Sequence, residues 1–190
     1  MTQQDALKGM RVAIIVADDF EQAEMTEPRK ALDQAGAHTV LVSPVRGEVQ
    51  GVHHDVKADR FKVDLPIDQA RPEDFDALLL PGGALNADFI RMNEKAREFV
   101  RSFDRSGKPM AVICHGAWLL VSSGVARGRT LTSYHTIQDD LRNAGANWVD
   151  QEVVHDGNLV TSRQPSDIPA FNREMIQLFS QSLKNMRKAA

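Results

Sequence analysis

The stretch Lys108 to Leu120, KPMAVICHGAWLL, limits the possible folds more than any other part of the chain. Met110 to Ile113 is an apolar run behind Pro109, long enough for a buried strand and too short for a helix. Cys114, the only cysteine, follows directly, then His115 and Gly116. Ala117 to Val121 reads as the opening of a helix. A strand that turns abruptly into a helix lifts the turn residue's side chain above the sheet edge. The free N–H groups of the helix start face the same point and favour a thiolate or an oxyanion there. Gly116 allows a neighbouring backbone to come close. A lone cysteine is more often an inert, buried small hydrophobe. Its place at a strand-to-helix elbow favours a nucleophile instead.

The rest of the chain supplies the strands and helices such an elbow needs. Arg11 to Ala17, RVAIIVA, reads as a central parallel strand buried on both faces. Asp18, Asp19 and Phe20 form a turn, and Glu21 to Ala35 reads as a helix closed by Gly36. Pro28 is expected to kink or break that helix. Glu21 and Glu24 lie in its first turn, where acids also suit the helix dipole without any further role. His38 to Ser43 is a second strand, and Pro44 to Lys62 suggests a hairpin. Within it, His53, His54 and Asp55 fit a polar turn better than a metal site, because adjacent side chains diverge. Phe75 to Leu80 is a third strand running into Pro81-Gly82-Gly83. A turn at that edge of an open α/β sheet is where ligands bind. Asn93 caps a helix reaching Ser106, with Ala96, Phe99, Val100 and Phe103 on one face and Gly107 at its end.

Beyond the elbow, Thr130 to Ser133 suggests a short strand and Ile137 to Ala144 a small helix closed by Gly145. Trp148 to His155 and Leu159 to Ser162 flank Asp156-Gly157, a hairpin signal. Ser166 or Asp167 opens the last helix. Alternating strands and helices predict an α/β flavodoxin-like three-layer sandwich: a mostly parallel sheet with helices on both faces. One domain is expected over residues 1–190, with flexible ends at 1–10 and 184–190. Such a sheet brings Cys114, the Gly82-Gly83 turn and the start of the first long helix to one edge.

Composition narrows the function. A net charge of −3 with no basic block argues against nucleic-acid binding. No apolar run approaches membrane-spanning length, and residues 1–10 lack the apolar core of a secretory signal. A single cysteine cannot form an internal disulfide and suits a reducing cytoplasm.

Five segments together carry a resemblance: AIIVADDFEQAEMTEP, DALLLPGG, AVICHGAWLL, GRTLTSYHTIQDDLRNAGANWVDQEVV and LVTSRQP. In this order they resemble the DJ-1/PfpI superfamily, within it the PfpI-like branch of general stress proteins and intracellular proteases. The resemblance runs from Arg11 into the last helix. It implies the same sandwich, shared with class I glutamine amidotransferase domains, and a nucleophilic Cys114. It implies a helix-borne carboxylic acid at Glu24 and an oxyanion site from the backbone N–H groups of Gly83 and His115. It implies a Cys-His-acid triad whose acid comes from a neighbouring subunit. That acid precedes an Arg-x-Asn by three residues, which here points to Asp88 in the loop after Pro81-Gly82-Gly83. Tyr134 falls where the family places a polar ring on the pocket wall. A homo-oligomer is implied; no cofactor and no metal are.

The chemistry agrees with these assignments. A free thiol has a pKa of about 8.5, so little thiolate forms at neutral pH. A protonated Glu24 donates a hydrogen bond to the sulfur and favours the thiolate, where a charged one would oppose it. The ring of His115, next to the nucleophile in sequence, is expected to turn away from it unless an acid orients it. The leading expectation is a cytoplasmic cysteine hydrolase acting on peptides or on glyoxal-type aldehydes and their protein adducts. The alternative is a redox sensor or oxidation-tuned chaperone using the same cysteine. A glutamine amidotransferase is disfavoured because neither His135 nor His155 is followed by the required x-Glu.

Overall fold

The computed structural model describes residues 5–189. The strands, in chain order, are β1 Arg11–Ile15, β2 Phe20–Glu21, β3 His38–Ser43, β4 Glu48–His53, β5 Val56–Lys62 and β6 Leu65–Pro66. They continue as β7 Ala77–Leu80, β8 Met110–Ile113, β9 Thr130–Leu131, β10 Asn147–Trp148, β11 Val153–Asp156 and β12 Leu159–Ser162. The helices are α1 Gln22–Gln34, α2 Ala84–Ile90, α3 Glu94–Ser106, α4 Ala117–Ser123, α5 Gln138–Asn143 and α6 Ile168–Ala189.

The main sheet has the order β11-β12-β8-β7-β1-β3-β6. Every neighbouring pair is parallel except β11 with β12, whose hairpin turns at Gly157 with φ 61°. The apolar strand runs follow from burial on both faces. Ala13 and Ile15 of β1, Leu78 and Leu80 of β7, and Val112 of β8 face the side covered by α3 and α4, against Phe99, Phe103 and Leu120. Val12, Ile14, Leu79, Ala111 and Ile113 face the other side, covered by α1 and α6, against Met25, Leu32, Phe171 and Phe179. This is the expected three-layer sandwich.

Several local expectations are corrected. α1 runs on through Pro28 as one helix, with the proline buried. A proline removes one intrahelical donor, and burial of its ring against the core offsets that loss. Residues Ala84–Ile90 form a helix where a loop was expected, started by Gly83 at φ 91°. The stretch 148–155 is two strands, not one: β10 pairs in parallel with β9 and β11 joins the main sheet. Phe20–Glu21 is a short strand that joins the β4–β5 hairpin in a separate three-stranded sheet. Both terminal segments make contacts within the described residues. Leu7 and Met10 are buried, and the Leu7 N–H donates to Ala35 O at 2.8 Å. α6 stays helical to Ala189, and Arg187 Nη2 donates to Lys8 O at 2.6 Å. Each end thus packs on the other.

The parallel register places the elbow. Ile113 is the last residue of β8 and pairs with Ser162 of β12. Residues Cys114–Gly116 then form a 3-10 turn leading into α4. Gly116 is needed for close approach, since an added Cβ would lie 2.7 Å from Leu80 O and 3.0 Å from Pro81 O. Both oxygens are main chain at the end of β7, so neither can rotate away. Gly116→Ala is therefore expected to destabilise the fold by about 1–3 kcal/mol. Urea denaturation checks this; an unchanged midpoint would mean that the turn can slide off the β7 end.

Candidate active site

Cys114 sits at the carboxyl end of β8 with φ 61°, in the left-handed region. A non-glycine residue held there costs on the order of 1–3 kcal/mol, and such strain persists only where the surroundings impose it. Here they do. The residue before it is locked in the sheet, and the Gly116 backbone behind it packs on β7. Tyr134 N–H donates to Cys114 O at 3.3 Å. The strain directs the thiol towards Glu24 and the Gly82-Gly83 turn. It remains only 6% exposed.

Three groups close on the sulfur. Glu24, fully buried in the first turn of α1, meets the thiol. Its Oε2 accepts the Gly82 N–H at 2.8 Å. The backbone N–H groups of His115 and Gly83 point at the sulfur. His115 Nδ1 lies 3.3 Å from Cys114 Sγ. The expectation that the histidine ring turns away without an acid is thus corrected. The ring is held by other rings: Tyr134 stacks on it at 4.8 Å, and Trp118 meets it at 5.3 Å and 68°.

The Pro81-Gly82-Gly83 turn is fixed from below by Asn86. The side-chain amide of this buried residue donates to Gly82 O at 2.9 Å and accepts from Ala17 N at 2.6 Å. Gly82 is itself required, because a Cβ there would strike Glu24 Oε2 and come within 2.7 Å of Cys114 Cβ. The Gly82-Gly83 turn was expected here from the sequence, with the backbone role given to Gly83; Asn86 and Trp118 were not. The glycine pair was visible as a signal. Nothing local marks Asn86 or Trp118, whose partners lie far along the chain.

Cys114, Glu24, His115, Tyr134 and the Gly83 backbone thus come together. Asp88 does not join them. It lies on the exposed face of α2 beside a groove of about 350 Å³ lined by Asp18, Asp19, Val45, Leu85 and Phe89. Among the described residues no group of three or more His, Cys, Asp or Glu side chains is arranged to hold a metal ion.

The family model for DJ-1/PfpI matches residues 10–178. The chain belongs to the DJ-1/PfpI family. It is 46% identical over 169 residues to "Deglycase PH1704" of Pyrococcus horikoshii, covering 89% of this chain and 99% of that one. It is 43% identical over 170 residues to "Protein/nucleic acid deglycase 2" of Escherichia coli, covering 88% and 96%. The crystal structure of Drosophila melanogaster DJ-1beta superposes with a TM-score of 0.80 at 27% identity, covering 93% of this chain and 97% of that one.

Within this family member the electrostatics of the pair are set by burial. Desolvation pushes the Glu24 carboxyl up to about 8, against the hydrogen bonds from Cys114 and Gly82. Burial also pushes the Cys114 thiol up, and a charged Glu24 would add to that; the His115 and Gly83 N–H groups act the other way. Two buried acids in contact cannot both ionise cheaply. At neutral pH Glu24 therefore keeps its proton. Its charge is then absent, and burial keeps the resting thiol protonated as well. The Glu24 O–H is available as a donor when the sulfur gives up its proton, with the His115 and Gly83 N–H groups favouring the charge there. Burial lowers the pKa of His115, and His135 adds to this, so the ring is neutral and can accept the thiol proton.

Glu24 makes stability depend on pH. Its folded pKa of about 8 lies above the unfolded value of 4.5, so the fold retains a proton that the unfolded chain releases. That contribution is full below the unfolded value and is lost as pH rises through the folded one. The total is on the order of 3–5 kcal/mol. Glu24→Gln is expected to remove this downward slope, gaining stability over the wild type at pH 8 relative to pH 5. Urea unfolding at the two pH values measures it; equal slopes would mean that Glu24 is ionised in the fold.

Proposed function

We propose that this protein is a cysteine-dependent hydrolase with Cys114 as nucleophile, acting on glyoxal-type aldehydes and their protein adducts. The observation that carries the reading is the convergence on one sulfur of a neutral acid, two N–H donors and a histidine nitrogen 3.3 Å away. Cys114 attacks a carbonyl carbon, and its proton passes to His115 Nδ1. The carbonyl oxygen becomes an alkoxide held by the Gly83 and His115 N–H groups. With a glyoxal-type aldehyde the attack gives a thiohemiacetal, which has no group to expel. A proton moved from its carbon to the neighbouring carbonyl carbon through an enediol leaves a thioester, and water hydrolyses it to the hydroxy acid and frees the thiol. In an amine adduct the C–N bond breaks as the S–C bond forms, with His115 protonating the departing amine, to give the same thiohemiacetal. A thiol only 6% exposed favours small carbonyl compounds over the backbone of a folded protein, with short peptides second. The names of the Pyrococcus and Escherichia relatives support the same substrate class. The net charge of −3 gives little attraction for a nucleic-acid chain.

Asp88 enters this reading from a second copy. His115 Nδ1 is taken by the thiol, leaving Nε2 for an acid, and no acid of the same chain occupies that place among the described residues. Around Asp88, Leu85, Phe89 and Met92 are 67%, 58% and 74% exposed. An apolar rim around a carboxylate suits contact with another subunit. The working unit in this reading is a cytoplasmic homo-oligomer whose sites are each completed by a neighbour's Asp88. Among the described residues no helix is long and apolar enough to cross a membrane.

A second reading has a specific observation behind it: the protonated Glu24 carboxyl, buried beside the thiol, can donate to an oxidised sulfur, as a redox sensor requires. Methylglyoxal and peptide turnover decide between the two. Cys114→Ser is expected to abolish iodoacetamide labelling and leave below about 1% of turnover. Asp88→Ala is expected to lower turnover at least about tenfold with labelling intact. Peroxide oxidation of Cys114 without turnover on either substrate would establish the sensor and sink the hydrolase.

A further inference from the structure

His115 is held by more than the thiol. Trp118 follows it on the first turn of α4 and meets its ring at 5.3 Å. The indole is itself fixed on two sides. Its Nε1–H donates to Asp140 Oδ2 of α5 at 2.7 Å. The Arg91 guanidinium lies 5.0 Å over its ring and is anchored by Nε donating to Ser122 Oγ at 3.0 Å. A half-buried tryptophan needs neither restraint to pack. Both restraints fix the plane of the ring against which His115 rests, with Tyr134 stacked on the imidazole as well.

We infer that Trp118, clamped between Asp140 and Arg91, is a positioning residue that keeps His115 Nδ1 aimed at the Cys114 thiol. This deepens the hydrolase reading and rests on His115 being the proton acceptor there. It divides the orientation of His115 into two parts. Trp118 and Tyr134 set the ring plane within the chain, and an acid at Nε2 would select the tautomer. The charged and titratable groups around His115 are Cys114 at Nδ1, Glu24 across the thiol, His135 beyond Tyr134, and Arg91 and Asp140 beyond Trp118.

The test is the pH profile of Cys114 alkylation by iodoacetamide, which needs no knowledge of the substrate. Near pH 7 the rate depends on transfer of the thiol proton to His115; at high pH the thiolate forms unaided. Trp118→Leu is expected to slow alkylation near pH 7 by about tenfold, since small misplacements of a reacting group cost rates of that size or more. The high-pH rate stays unchanged. Trp118→Phe, which keeps a ring in place, restores most of the loss. Asp140→Leu, on the exposed side of the clamp, lowers the rate in the same direction but less, and covers the case in which Trp118→Leu fails to fold. The decisive arm is the double variant with His115→Ala. A residue acting only through His115 has no further effect once that ring is gone. A Trp118 effect that persists undiminished in the His115→Ala background, or that appears equally at high pH, overturns the proposal. If His115→Ala itself leaves the rate near pH 7 unchanged, the Cys-His reading fails first.

Discussion

The structure depends on one strained residue meeting one buried acid. Cys114 stands at φ 61° because three packed elements leave it no other conformation. The end of β8 is fixed by β7 and β12, and Gly116 seats on the Leu80 and Pro81 carbonyls. Gly82 then fills the space between Cys114 and Glu24 that any Cβ would close. The strain is held by the whole parallel sheet and not by the turn alone. A long-range architecture thus bears a local cost, and the return is a sulfur aimed at Glu24 and the backbone donors of Gly83 and His115.

The same geometry explains why the acid must be buried. Glu24 at the surface would be ionised at neutral pH and would repel a thiolate beside it. Buried, it keeps its proton to about pH 8 and becomes a donor. The energetic penalty of an unexpressed charge falls on folding, while the benefit falls on the sulfur. The backbone N–H groups of His115 and Gly83 favour the anion at the sulfur, against the burial that opposes it.

Much of this was legible in the sequence, and what was legible had local causes. Apolar runs such as Met110–Ile113 and His38–Ser43 gave strands with matching bounds, because burial on both faces leaves little choice of residue. Asn93 and Gly107 marked both ends of α3, where the Asn93 side chain accepts from Ala96 N at 3.0 Å. What escaped was decided by distant partners. α2 has no apolar periodicity of its own strong enough to announce it, and forms on the Gly83 turn with Asn86 tied to Ala17, just past β1, and to Gly82. The Trp148–His155 stretch divides because its two halves pair with different strands. Leu7 and Met10 read as an extension only until α1 and α6 are present to receive them.

The site divides along the same line. Cys114, Glu24, Gly83 and Tyr134 were identified from motifs and resemblance, and they converge in space. His115 was identified with the wrong orientation, because sequence adjacency says nothing about a ring's neighbours in three dimensions. Its direction comes from Tyr134, nineteen positions later, and from Trp118, which reaches Asp140 on α5 and Arg91 just past α2. A histidine whose plane is fixed within the subunit can act as proton acceptor before any partner arrives. In the hydrolase proposed above, an acid from a second copy would adjust the charge of that histidine without having to place it. Chemistry and assembly are separable in such a design: one set of contacts aims the nitrogen, and another sets how strongly it holds a proton.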